Sequence, residues 1–142
     1  MNNNKIKAKK MVIVILTFLE LFTTIGCGLE KSDVEKVRDL KFTVIEADEI
    51  PQELAAIMEE KRESGFKLTY EDKKNLYLAI GYGVQDTGGY SISAEECFLG
   101  KNAVYVKTTL QGPKKGEQVN QVKSYPHIVI KTEYLEKNVV FQ

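Results

Sequence analysis

Short apolar runs, several of them alternating with polar residues, fill the chain from residue 42 to its end, and only one stretch among them carries helical spacing. That pattern confines the chain to an α+β fold, a mostly antiparallel sheet with one packed helix. Phe42–Ile45 reads as a first strand. Ile50-Pro51 then opens the helix, with Pro51 at its first position, Glu53 in its first turn and Leu54, Ile57 and Met58 at helical spacing. Lys61 and Arg62 suit the negative end of the helix dipole and Gly65 supplies the stop, while Glu59, Glu60 and Glu63 leave the other face for water. Phe66–Tyr70 and Leu76–Tyr82 flank a charged turn, and Tyr90–Ala94, Ala103–Leu110, Ile128–Lys131 and Val139–Phe141 follow at short intervals. The count is about six or seven strands.

The start of the chain constrains its destination. Lys5, Lys7, Lys9 and Lys10 precede the uncharged run Met11–Leu19, in the order of a secretory signal. The apolar stretch amounts to about 15 residues, short of the ~20 that span a bilayer. Thr24-Ile25-Gly26-Cys27 resembles the lipobox of bacterial lipoproteins. That resemblance implies that residues 1–26 are a signal peptide of lipoprotein type and that Cys27 is the lipid attachment site, acylated with fatty acids such as palmitate. Residues 27–41, dense in charge, then read as a tether, and residues 42–142 as the sheet-rich domain, held at the outer face of the cell membrane. A signal cut elsewhere would leave the same domain secreted. With Cys27 lipidated, Cys97 has no partner for an internal disulfide; the alternative is a Cys27–Cys97 bridge.

Charge narrows the range of partners. Removing four lysines and one glutamate from twenty residues of each sign leaves 16 basic and 19 acidic, a net charge of about −3. Such an interspersed, mildly acidic surface has no footprint for a phosphate backbone, so no nucleic acid is expected.

Three segments carry a family resemblance: Gly83-Val84-Gln85-Asp86-Thr87-Gly88-Gly89-Tyr90-Ser91-Ile92, then Gly112-Pro113, then Ser124-Tyr125-Pro126-His127-Ile128-Val129-Ile130-Lys131. Together they resemble the C-terminal domain of the PrcB family, over about residues 75–132. The family is named for a lipoprotein subunit of a bacterial surface protease complex. The resemblance implies a non-catalytic domain that associates with a secreted or surface protease and helps to stabilise it.

The candidate binding loop is Gln85, Asp86, Thr87, Gly88, Gly89 and Tyr90. Adjacent glycines permit positive φ and close approach of another backbone, and Tyr90 offers an aromatic ring with a polar tip. The plainer reading, ranked ahead of recognition, is a tight turn between strands with Tyr90 packed inward. No catalytic residues are expected. Cys97 and the single histidine, His127, are the one nucleophile–base pair the composition permits, but Cys97 follows two acids that would not lower its pKa. Neighbouring acids such as Glu95-Glu96 and Glu59-Glu60 should point apart into solvent, and the glycines lack the Gly-Lys-Ser/Thr and helix start of a phosphate loop. No metal and no cofactor are expected.

The leading expectation is therefore a monomeric, lipid-anchored domain that binds a protein partner, as an accessory subunit of a surface protease. One competitor is a protease inhibitor presenting Gln85 to Tyr90, whose Thr-Gly-Gly-Tyr element loosely resembles the Thr-Thr-Gly-Tyr loop of chagasin-like inhibitors. The other is a cell-wall or carbohydrate binder using Tyr77, Tyr82 and Tyr105.

Overall fold

The computed structural model describes residues 34–142. The signal segment, Cys27 and the first part of the tether lie outside the described residues.

The expectation of one sheet with about six or seven strands gives way to two four-stranded sheets. In chain order the elements are β1 (Lys36–Asp39), β2 (Phe42–Val44), a 3-10 turn (Ala47–Glu49), α1 (Gln52–Lys61), β3 (Phe66–Glu71), β4 (Asn75–Gly81), β5 (Ser91–Gly100), β6 (Ala103–Gln111), β7 (His127–Glu133) and β8 (Asn138–Phe141). One sheet runs β1-β5-β6-β8 and the other β2-β7-β4-β3. Every pairing is antiparallel except β6 with β8, which is parallel.

The strand missing from the sequence reading lies in the supposed tether. Lys36–Asp39 pairs with β5, Leu40 follows it into the core at 3% exposure, and the Leu40 N–H donates to the Cys97 carbonyl at 3.0 Å. The folded unit thus begins before residue 42.

Two apolar layers hold the unit together. Between the sheets, Leu76, Leu78, Ile80, Ile128 and Ile130 from β4 and β7 meet Cys97, Val104 and Val106 from β5 and β6. On the other face of the β4–β7 sheet, Tyr77, Ala79 and Val129 meet Leu54 and Met58 of α1 together with Phe66 and Ile45. β4 is therefore covered on both faces, which is why Leu76–Ile80 is an unbroken buried run rather than an alternating one. Helix α1 buries only Leu54 and Met58; Ile57, placed by spacing on the apolar face, is 41% exposed.

A bulge in β5 sets which residues face the core. Ala94 pairs with Thr108 and Glu96 with Lys107, so Glu95 is the extra residue and the side-chain alternation shifts by one. Cys97 turns inward, while Glu95 and Glu96 both lie exposed to solvent. The Lys107 ammonium, 2.7 Å away, and the Thr109 hydroxyl hold the Glu95 carboxyl below the usual carboxylate range.

The β3–β4 hairpin is closed by Asp72. Its carboxylate accepts the backbone N–H groups of Lys74 and Asn75 at 2.8 and 2.7 Å, and the Tyr77 hydroxyl donates to it at 3.1 Å. These bonds, the Lys74 N–H foremost, lower its pKa to about 2. A depressed carboxylate contributes stability above its unfolded pKa and loses it as pH falls through the folded value. The urea midpoint should therefore drop between about pH 4 and pH 2, and Asp72→Asn should make that drop shallower. Equal acid dependence in both proteins would refute this role.

Candidate functional site

The candidate loop is not a turn between adjacent strands. Residues 82–90 leave β4 in one sheet and enter β5 in the other, so they cross the end of the sandwich. Tyr82 fastens the crossing: its hydroxyl lies 2.9 Å from the carbonyl of Thr108 and 2.8 Å from its side-chain oxygen, joining the sheets at that point.

A second long segment, residues 112–126 between β6 and β7, lies against the first. The N–H of Gln85 donates to the Ser124 carbonyl at 2.8 Å and the N–H of Ser124 returns the bond at 3.0 Å. The Ser124 hydroxyl donates to the Thr87 carbonyl at 2.6 Å, and the Gly88 N–H to the Asn120 carbonyl at 2.8 Å. At Gly89 φ is +84°, and a Cβ there would sit 2.5 Å from a methyl carbon of Val119. Tyr90 lies half-buried with its ring against Gly112. The adjacent glycines thus admit close approach of a backbone, but the backbone is the chain's own.

Two ribs result, tied by these hydrogen bonds and laid side by side over one end of the described domain. Asp86 and Gly89 are exposed on the first, and Asn120, Gln121 and Lys123 on the second. Val84 at 39% and Val122 at 60% exposure add apolar contact area among them. The result is an exposed surface of mixed charge and scattered valines. Composition marks residues 112–124 only as a polar loop, so sequence reasoning misses the second rib. The Gly112-Pro113 and Ser124-Tyr125-Pro126 elements of the family resemblance were the signal that could have found it.

Cys97 and His127 are not brought together. Cys97 faces the inter-sheet core at 3% exposure, where burial pushes its thiol up to about 11. His127 is exposed at the start of β7, its ring Nδ1 3.0 Å from the Tyr125 carbonyl, and lines a cleft with α1 residues Ala55 and Met58. A thiol so placed stays protonated and shielded. It should resist a thiol reagent at pH 8 in the folded protein and react once in denaturant; fast labelling without denaturant would contradict this burial.

The three tyrosines considered for carbohydrate do not form one surface. Tyr77 is buried on the α1 side, Tyr82 lies between the sheets, and Tyr105 stacks on Phe98 at 5.1 Å on the outer face of the β5–β6 sheet. Among the described residues no group of three or more His, Cys, Asp or Glu side chains is placed to hold a metal ion. None of their helices is long and apolar enough to cross a membrane.

Fold and site define a small two-sheet domain with one helix on an outer face and two zipped segments across one end. Residues 76–133 match the family whose description is PrcB C-terminal, which bears out the resemblance carried by the three segments. The matched stretch runs from β4 through β7 and contains both ribs. No curated protein and no solved structure matches the chain.

Proposed function

We propose that this chain is a non-catalytic cell-surface lipoprotein whose domain binds a protein partner and serves as an accessory or stabilising subunit of a surface protease. The observation that carries this reading is the PrcB C-terminal match at residues 76–133, because the matched stretch contains both ribs. The cationic and apolar start of the chain and Cys27 support export and lipid attachment.

Lys36 pairs with Gly100, so the backbone enters the domain beside the β5–β6 turn, whereas the ribs lie where β4 ends and β5 begins.

Two measurements test the proposal. Mass spectrometry of the mature protein should find a diacylated Cys27 at its N-terminus; any other N-terminus ends the lipoprotein claim. Casein-degrading activity of surface extracts should fall when the protein is deleted and return when it is restored. Activity that rises on deletion would favour an inhibitor instead.

A further inference from the structure

Beside the start of β7, on the sheet face that α1 covers, two cavities meet in one groove. The larger, of about 390 Å³, lies between α1 and β7 over Ile50, Ala55, Met58 and Phe66. The smaller, of about 240 Å³, lies where β2 leaves the sheet, among Val44, Ile45, Ile50 and Val129. Ala47, Ile50 and His127 line both, which makes the two continuous. The last bond from the end of β2 to β7 runs from the Ile45 N–H to the Val129 carbonyl at 3.0 Å. Among the described residues no strand pairs with His127 or Ile128 on that side, so β7 has an open edge there. The charges on the rim are already partnered. The Arg62 guanidinium meets Glu59 at 2.7 Å and lies over the Tyr125 ring at 4.6 Å, and Nδ1 of His127 lies 3.0 Å from the Tyr125 carbonyl.

We infer that this groove receives an extended segment of the protein partner, with an apolar side chain in each cavity; the inference rests on the protein-binding reading above. The lining selects the class of occupant. A floor of aliphatic, methionine and phenylalanine carbons offers few partners to a sugar or a nucleotide, and the carboxylates of Glu46 and Glu59 oppose an anion. An extended backbone brings N–H and C=O groups to the open edge of β7 while its alternate side chains turn into the cavities. Tyr125 joins the groove to the second rib. It lines the larger cavity and directly follows Ser124, which is bonded to Gln85 and Thr87 of the first rib. A partner seated on the ribs therefore reaches the groove along one continuous surface. Binding energy concentrates where an apolar anchor fills a pocket rimmed by tyrosine and arginine, which assigns the groove the anchoring role.

The test titrates the full-length protein, held in nanodiscs, into two fluorescein-labelled peptides, Ser-Leu-Ser-Leu-Ser-amide and its all-serine counterpart. Fluorescence anisotropy should report binding of the leucine peptide alone, and hydrogen exchange should slow at residues 45–50 and 125–129 and stay unchanged at residues 134–138. Ala55→Leu, which fills the larger cavity with a side chain that suits a helix, should weaken binding about tenfold. Ala56→Leu, next to it on α1 but exposed and outside both linings, should leave binding unaltered and so controls for the fold. Equal binding of the two peptides, no binding of either, or binding that Ala55→Leu does not change would overturn the inference. Octanoate binding more tightly than the leucine peptide would also overturn it, by assigning a fatty acid, as would self-association that Ala55→Leu abolishes, by assigning a second copy of the chain. No protease enters this titration, so a failure of the accessory-subunit reading shows only in the casein assay.

Discussion

Replacing Leu78 by alanine should lower the stability of the domain by about 2–5 kcal/mol, read as a fall in the urea midpoint with little change in slope. Leu78 sits in the middle of β4 at 0% exposure, opposite Ile130 on one side and Thr69 on the other. It packs between the sheets in the cluster with Val104 and Val106, and α1 covers the far face of its strand. With both faces covered, the site has little freedom to collapse, so the cavity persists and its cost adds to the lost transfer energy. A domain of this size holds only about 5–15 kcal/mol in all, so one such change consumes a large share. Ile57→Ala, at a position 41% exposed on α1, provides the comparison and should move the midpoint far less. Equal effects would mean that the inter-sheet layer is not the main source of stability.

The second large effect is expected at Gly83, where Ala should cost about 1–3 kcal/mol and disturb the ribs as well. Its φ is +74°, and a Cβ there would stand 2.9 Å from the Glu63 carbonyl oxygen and 3.3 Å from the Gly65 nitrogen. Those are backbone atoms and cannot swing aside as a side chain would. The same approach carries the hydrogen bond from the Val84 N–H to the Glu63 carbonyl at 3.1 Å, which links the end of α1 to the first rib. Amide shifts should therefore change at Glu63–Gly65 and propagate to Gln85–Gly88. Gly116→Ala separates the two causes, because φ is similar at +86° but nothing lies within 4 Å. It should show the conformational cost alone; if both variants cost the same, the close packing at Gly83 contributes nothing.

The elements that sequence reasoning places well are those stabilised locally. Helix α1 announces itself by Pro51 and Gly65, and the β3–β4 hairpin by alternation around the Asp72 turn. What eluded it depends on contacts distant in the chain. β1 is exposed along its whole length and so carries no apolar signature; its pairing with β5 lies some sixty residues away, as Lys36 against Gly100 shows. The division into two sheets rests on β2 pairing β7 and β6 pairing β8, neither of which periodicity can specify. The Glu95 bulge reverses the facing of half a strand, a change that no alternation count can register.

The candidate loop was legible for a similar reason, and its partner was not. Adjacent Gly88 and Gly89 mark a special backbone in any sequence, whereas the bond from Ser124 to Thr87 joins residues separated by 37 positions. Composition can label such a segment only as polar. The structure turns a loop read as a tight turn or a recognition loop into one half of a hydrogen-bonded two-rib surface.

Site-specific photo-crosslinking from that surface tests the account most directly. A benzoylphenylalanine at Val122 and, separately, at Val140 on the edge strand β8 would be irradiated in the full-length protein on intact cells; the two positions are 60% and 38% exposed. The account predicts an adduct from Val122 whose partner mass spectrometry identifies as a surface protease, and no such adduct from Val140. A protease captured from Val140 alone, or none from either position, would contradict it.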